Sequence, residues 1–155
     1  VSLSPSLSPS ISPSFSPSIS PGYQAYSRGD YINLPTNDAD LTTIYSEQDV
    51  IDVGTSNDVR VGVDGTNFMV HEFKDYVGLA FNAGLNLEVR SSLAPSSSTV
   101  YLQIFNRTSS TWETVASNNT ASEDTDFTLS PNIMDLTNYK DDDLVISCRV
   151  YQEVV

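Results

Sequence analysis

The chain offers little reactive chemistry: one histidine, one cysteine and 20 side-chain carboxyls in 155 residues. Nucleophilic catalysis needs a nucleophile, a base within hydrogen-bond reach and a group that orients the base. His71 lies in Phe68-Met69-Val70-His71-Glu72-Phe73, and Cys148 alternates with Ser147 and Arg149 in the same row as Leu144, Ile146 and Val150. That row is apolar, so Cys148 reads as a small buried hydrophobe. A His71–Cys148 pair has no third member to complete it. No Gly-x-Ser-x-Gly elbow and no phosphate-cradling glycine loop occurs. No catalytic residue is assigned, and the expectation is a protein that is not an enzyme.

The carboxylates cluster in turn-like stretches: Asp38 and Asp40, Asp49 and Asp52, Glu123 to Asp126, and Asp141 to Asp143. Paired acids suit glycoside hydrolysis only when a cleft fixes their separation. The preferred reading is a solvated acidic rim. If a metal binds, hard oxygen donors point to calcium, with Asp38, Asp40, Asp141 and Asp143 as its ligands; no other cofactor is implied. Arg28-Gly29-Asp30 spells an integrin tripeptide but reads as a turn at the domain entrance. Asn106-Arg107-Thr108 and Asn118-Asn119-Thr120 are N-glycosylation sequons, with acceptors Asn106 and Asn118. Tyr23, Tyr26, Tyr31, Tyr45, Tyr101 and Tyr151 are expected on surfaces, where tyrosines serve sugar platforms and protein interfaces alike.

The charge balance removes whole classes of partner. With 20 Asp+Glu against 7 Lys+Arg the net charge is −13, which repels nucleic-acid phosphates. No apolar run is long enough for a membrane span. One cysteine allows no internal disulfide and no thiolate zinc cage.

The elements around these residues fall into two parts with a boundary near Gly22. Residues 1–21 carry no charge, and five of the eight prolines lie there. From Ser2 to Pro21 the chain repeats Ser-x-Ser-Pro with x = Leu3, Leu7, Ile11, Phe15 and Ile19. Proline at every fourth residue excludes a helix, and each serine before a proline is pushed to extended geometry. Two extended forms remain open. In polyproline II the apolar side chains spiral about the axis. In a β-strand every serine takes one face, the apolar residues and prolines take the other, and the even-numbered serines keep their N–H groups for pairing with another sheet. A plain linker would not carry Leu, Ile or Phe every fourth residue. Leu3, Leu7, Ile11, Phe15 and Ile19 are therefore read as assembly contacts. Ser2, Ser4, Ser6, Ser8, Ser10, Ser12, Ser14, Ser16, Ser18 and Ser20 are read as O-glycosylation sites, because dense Ser beside Pro marks glycosylated stalks.

Residues 22–155 read as an all-β domain, a single antiparallel, jelly-roll-like β-sandwich. Apolar residues alternate over Val59–Val63, Leu85–Val89, Val100–Ile104 and Leu144–Val150, the period of a half-buried strand. Less regular runs occur at 68–73, 112–116 and 127–129, separated by turn residues such as Asp64-Gly65 and Ser130-Pro131. Residues 22–50 read as an entry segment that wraps the sandwich ahead of its first regular strand, and Ile133–Tyr139 as a single helical turn.

Tyr26-Ser27-Arg28-Gly29-Asp30, the run from Ser91 to Ile104, Trp112-Glu113-Thr114 and the ending Arg149-Val150-Tyr151-Gln152 resemble environmental bacterial secreted or surface proteins in which Ser-Pro repeats precede β-sandwich modules. The repeat alone resembles that of subunits of glycan-coated extracellular filaments. The resemblance implies no activity and no catalytic residue.

The resulting expectation is a structural subunit of an extracellular, glycosylated filament or surface fibre, a homopolymer built through the arm and sandwich contacts. The alternatives are a carbohydrate-binding module on a mucin-like stalk and a phage fibre or adhesin module. The chain shows no signal peptide, which suits a mature product or part of a longer one. Low Lys+Arg and abundant Ser and Thr suit an extracellular or cell-surface setting.

Overall fold

A computed structural model describes residues 6–11, 23–55 and 58–155. The chain is an all-β sandwich. Its larger sheet has six antiparallel strands in the order β3 (Thr43–Ile44), β2 (Gln24–Tyr31), β5 (Phe68–Tyr76), β12 (Val145–Glu153), β8 (Val100–Asn106) and β9 (Thr111–Asn118). Facing it is a four-stranded sheet in the order β10 (Phe127–Leu129), β7 (Leu87–Ser91), β1 (Ser6–Ile11) and β4 (Val63–Asp64). β6 (Ala83–Gly84) and β11 (Asn132–Ile133) form a small third ladder.

Period-two alternation explains the core. Met69, His71 and Phe73 of β5, Ile146, Cys148 and Val150 of β12, and Val100, Leu102 and Ile104 of β8 point inward from the large sheet. Leu7, Leu87, Val89 and Leu129 meet them from the other side. Each Val, Leu, Ile, Phe or Met among them, fully buried, contributes about 1.5–3 kcal/mol.

The alternating rows at 85–89, 100–104 and 144–150 correspond to β7, β8 and β12. Of the row that starts at Val59, β4 takes in the end, Val63, together with Asp64, and Val61 is buried. The segment 22–50 holds a regular eight-residue strand, β2, and the start of a short helix, α1 (Glu47–Val53), so it does not precede the first regular strand. Ser46 caps α1 by accepting from the Asp49 backbone N–H at 3.1 Å, while the Asp49 carboxylate accepts from the Ser46 N–H at 3.0 Å, a capping box. Only the middle of this segment wraps. Residues 32–42 cross the outer face of the large sheet as a strap, and Gly29 lies beneath it. A Cβ at Gly29 would sit 2.6 Å from Thr42 Oγ1 and 2.8 Å from the Tyr31 ring.

Arg28-Gly29-Asp30 is not a turn. It lies inside β2, paired with Val70 and its neighbours on β5. Asp30 accepts from the backbone N–H groups of Thr66 at 3.1 Å and Asn67 at 3.0 Å, which closes the turn between β4 and β5. Gly65 is required in that turn, because a Cβ there would come within 2.6 Å of both Asp30 Oδ1 and the Met69 side chain. Gly65→Ala is expected to lower unfolding free energy by roughly 1–3 kcal/mol, the usual penalty for overpacking; chemical denaturation measures it.

Candidate functional site

The repeat arm enters the sandwich. β1, residues 6–11 of the Ser-x-Ser-Pro tract, lies between β7 and β4, which are not neighbours of each other. The polyproline alternative therefore does not hold for this stretch. Leu7 opposes Ser91, Pro9 opposes Val89 and Ile11 opposes Leu87. On the other edge Ser6 and Leu7 oppose Asp64 and Val63. Pairing with β4 stops two residues short of Pro9, whereas pairing with β7 runs through it. Proline forfeits one N–H, and every second residue of an antiparallel strand turns that group away from a given neighbour.

Leu7 is wholly buried. Its carbonyl accepts from His71 Nε2 at 2.8 Å, a bond that reaches from the large sheet across to the arm. Tyr45 donates its hydroxyl hydrogen to His71 Nδ1. The two partners fix one tautomer, with the proton on Nε2. Burial pulls the His71 pKa down to about 3, against the Leu7 carbonyl bond, which favours the charged form; the nearby Arg28 guanidinium adds to the lowering. The imidazole is therefore neutral at pH 7 and serves as an oriented donor for the arm backbone. Tyr45, Tyr26 and Phe73 form edge-to-face contacts around it, with ring centroids 5.1–6.0 Å apart, and α1 lies alongside β1.

The β7 side of the slot is also built from paired polar groups. Gln152, fully buried, accepts from Ser91 Oγ at 2.5 Å and donates to the carbonyls of Leu93 at 2.8 Å and Ser98 at 2.9 Å. This knot fixes Ser91, the residue opposite Leu7.

Three of the four expected metal ligands, Asp38, Asp40 and Asp141, have other partners. Asp38 Oδ2 accepts from Arg107 Nη1 at 2.7 Å and Ser147 Oγ at 2.8 Å. Burial alone would raise its pKa, but these bonds outweigh it and hold the carboxyl below its ordinary range. Asp40 pairs with Lys74 at 2.8 Å. Asp141 Oδ1 accepts from the N–H groups of Asp143 and Val145. No group of three His, Cys, Asp or Glu that could hold a metal occurs among the described residues. Asp38 and Asp40 instead pin the strap, together with Arg149 Nη1 to the Pro35 carbonyl at 2.7 Å and the Leu41 N–H to Ser27 Oγ at 2.9 Å. Beneath it Glu72 is 1% exposed, 3.6 Å from Lys74 Nζ, and burial raises its pKa to about 8.

Cys148 is buried, and burial raises its thiol well above the ordinary range. His71 spends both nitrogens on Tyr45 and Leu7, so the two do not act as a pair. Among the tyrosines, Tyr26 and Tyr45 belong to the core rather than the surface. Tyr23 is exposed, and Tyr31, Tyr101 and Tyr151 are half-buried. Asn106 Nδ2 donates to Glu113 at 2.7 Å, and Asn118 Oδ1 accepts from Thr120 and Ala121 N–H groups, so both sequons begin at strand ends. Of the arm positions, Ser6, Ser8, Ser10, Leu7 and Ile11 lie in β1. Ser2, Ser4, Ser12, Ser14, Ser16, Ser18, Ser20, Leu3, Phe15 and Ile19 lie outside the described residues.

No family model, curated protein or solved structure matches the chain. No helix among the described residues is long and apolar enough to cross a membrane.

A neutral buried histidine favours the folded state only while it stays unprotonated. Its folded pKa lies below the unfolded one, so its contribution is complete above about pH 6.5 and is lost as pH falls toward 3. The stability difference between the native chain and His71→Gln should shrink by on the order of 3 kcal/mol from pH 7 to pH 4, measured by denaturant titration. Glu72 has the opposite sign. Its folded pKa is raised, so its contribution is lost as pH rises from about 4.5 through 8, and Glu72→Gln should gain stability over the native chain across that window.

Proposed function

We propose that the chain is a structural subunit of an extracellular, glycosylated filament or surface fibre, assembled through the Ser-x-Ser-Pro arm and contacts of the sandwich, without catalytic activity. The observation that carries this reading is the place of the repeat in the fold. A unit of an uncharged, low-complexity tract serves as an interior strand, with Leu7 in the core and its carbonyl held by His71. Recognition of an extended segment by strand addition is a recurrent assembly device. A repeat offers the same pattern of side chains and N–H groups every four residues, because a four-residue shift preserves strand face and edge. The acidic body then keeps a crowded, self-associating surface soluble.

Electron microscopy and intact mass of the full chain purified from its source test the reading together. Filaments are expected, with a mass above the 16.9 kDa of the polypeptide and the excess residing on serines of the arm. A monodisperse monomer of polypeptide mass at high concentration would overturn it.

A second reading, a carbohydrate-binding module, is favoured by one surface feature. Tyr101 and Tyr151 stack with centroids 5.2 Å apart, and Phe68 meets Tyr151 edge-on at 6.1 Å. All three rings are half-exposed on the outer face of the large sheet, the form of an aromatic ledge for a sugar ring. This reading predicts saturable binding of soluble oligosaccharides that Tyr151→Ala weakens about tenfold or more, the loss expected for roughly 1.4 kcal/mol; titration calorimetry decides it.

A further inference from the structure

We infer that the slot between β4 and β7 is a binding site for one Ser-x-Ser-Pro unit, and that in the assembled state a second copy of this chain supplies that unit. The inference rests on the filament reading and specifies its joint.

The slot needs an occupant. β4 and β7 are both hydrogen-bonded to β1 and not to each other, so withdrawing β1 opens the sheet along the whole of β7. It also uncovers the core around the Leu7 position and leaves His71 Nε2 buried without an acceptor. A buried donor left unpaired costs about 1–3 kcal/mol, and loss of a buried leucine about 2–5 kcal/mol. Nothing else among the described residues is placed to fill the gap.

The occupant is specified by the slot. It must be extended and present an apolar side chain at the Leu7 position, where the core closes with no exposure. It must offer a carbonyl to His71 and tolerate proline two residues later, opposite Val89. The sequence meets this pattern at Leu3, Leu7, Ile11, Phe15 and Ile19, each followed two residues on by Pro5, Pro9, Pro13, Pro17 or Pro21. One arm therefore carries five candidate units for a slot that takes one of them with part of the next.

The length of the connection allows the arm to reach another body. Residues 12–23 lie between β1 and β2, and a chain of that length spans up to about 40 Å when extended. That is roughly the width of a domain of this size, so the same stretch reaches the slot of an adjoining copy. The cis and trans contacts are the same contacts, as in any exchange of an element between identical chains. In an assembly the local concentration of neighbouring arms favours exchange, and an arm passed from each copy to the next is a head-to-tail contact that propagates.

Thiol trapping in the full chain tests this. Ser8 and Arg90 are partners across the β1–β7 ladder, and such partners have Cα atoms within the range a disulfide bridges. A chain with Ser8→Cys is mixed with a separate chain carrying Arg90→Cys, co-assembled and mildly oxidised. No single chain then holds both thiols, so a link between those positions joins two chains. Native Cys148 is buried and does not compete. The expected yield of that mixed disulfide is at least about tenfold above a control mixture of Ser8→Cys with Ser109→Cys, reflecting the effective concentration of a seated arm. A yield no higher than the control overturns the exchange. If micrographs of that sample show filaments, the filament reading stands and the arm exchange alone falls; if they show none, both fall. A chain carrying Ser8→Cys and Arg90→Cys together that closes within single molecules, with no linked multimers, likewise overturns the exchange.

Discussion

A buried hydrogen bond ties the arm to the large sheet: His71 Nε2 donates to the carbonyl of Leu7. The imidazole stands in the large sheet and the carbonyl belongs to the arm, 64 residues earlier in the chain. Around that bond the fold arranges a donor that must stay neutral, a tyrosine that fixes its tautomer and a leucine that closes the core. Buried polar groups are tolerated when every member of the network is satisfied. The histidine meets that condition only with the arm seated. Completion of the polar network and completion of the four-stranded sheet are thus one event.

The outer face of the large sheet follows a different logic. It carries Glu72, Lys74, Ser147 and Arg149, residues that would ordinarily be solvated, and covers them with the strap. Asp38, Asp40 and the Pro35 carbonyl compensate the charges that the cover desolvates. Arg149 also lies over the Trp112 ring, its guanidinium carbon 4.2 Å from the centroid, a cation–π contact. The acidic clusters of the sequence thus divide. Part of them is a clamp inside the fold, and part remains as a solvated surface.

Much of the fold is legible in the sequence because its strands β7, β8 and β12 alternate cleanly and one face of each is apolar. The inward position of Cys148 follows from that parity alone. β2 is not legible. The face it turns toward the other sheet carries Tyr26, Arg28 and, at its exposed end, Asp30, and the outward face includes Ser27 and Gly29, kept small where the strap crosses. Polar residues satisfied by distant partners give no periodic signal. The Val59–Val63 row gives the converse case: it alternates, but the strand β4 begins only at its end, at Val63. The role of His71 shows the same limit. Parity with Met69 and Phe73 places it inward, while the identity of its acceptor depends on long-range topology. The repeat was legible as an extended element, and its chain-length period of four is what fits both the strand face and the slot.

The spacing of proline within that repeat has a consequence for material made from it. A strand that is apolar along one face, uncharged and present in every copy is the kind of segment that zips with its own kind into cross-β aggregates. Proline at every fourth residue interrupts the donors of one edge at regular intervals, so two arms laid edge to edge cannot form an unbroken ladder on that side. In β1 the unbroken pairing lies on the β7 edge, within the sandwich. The repeat can be adhesive toward a folded body while remaining a poor template for itself, which separates ordered growth from amyloid.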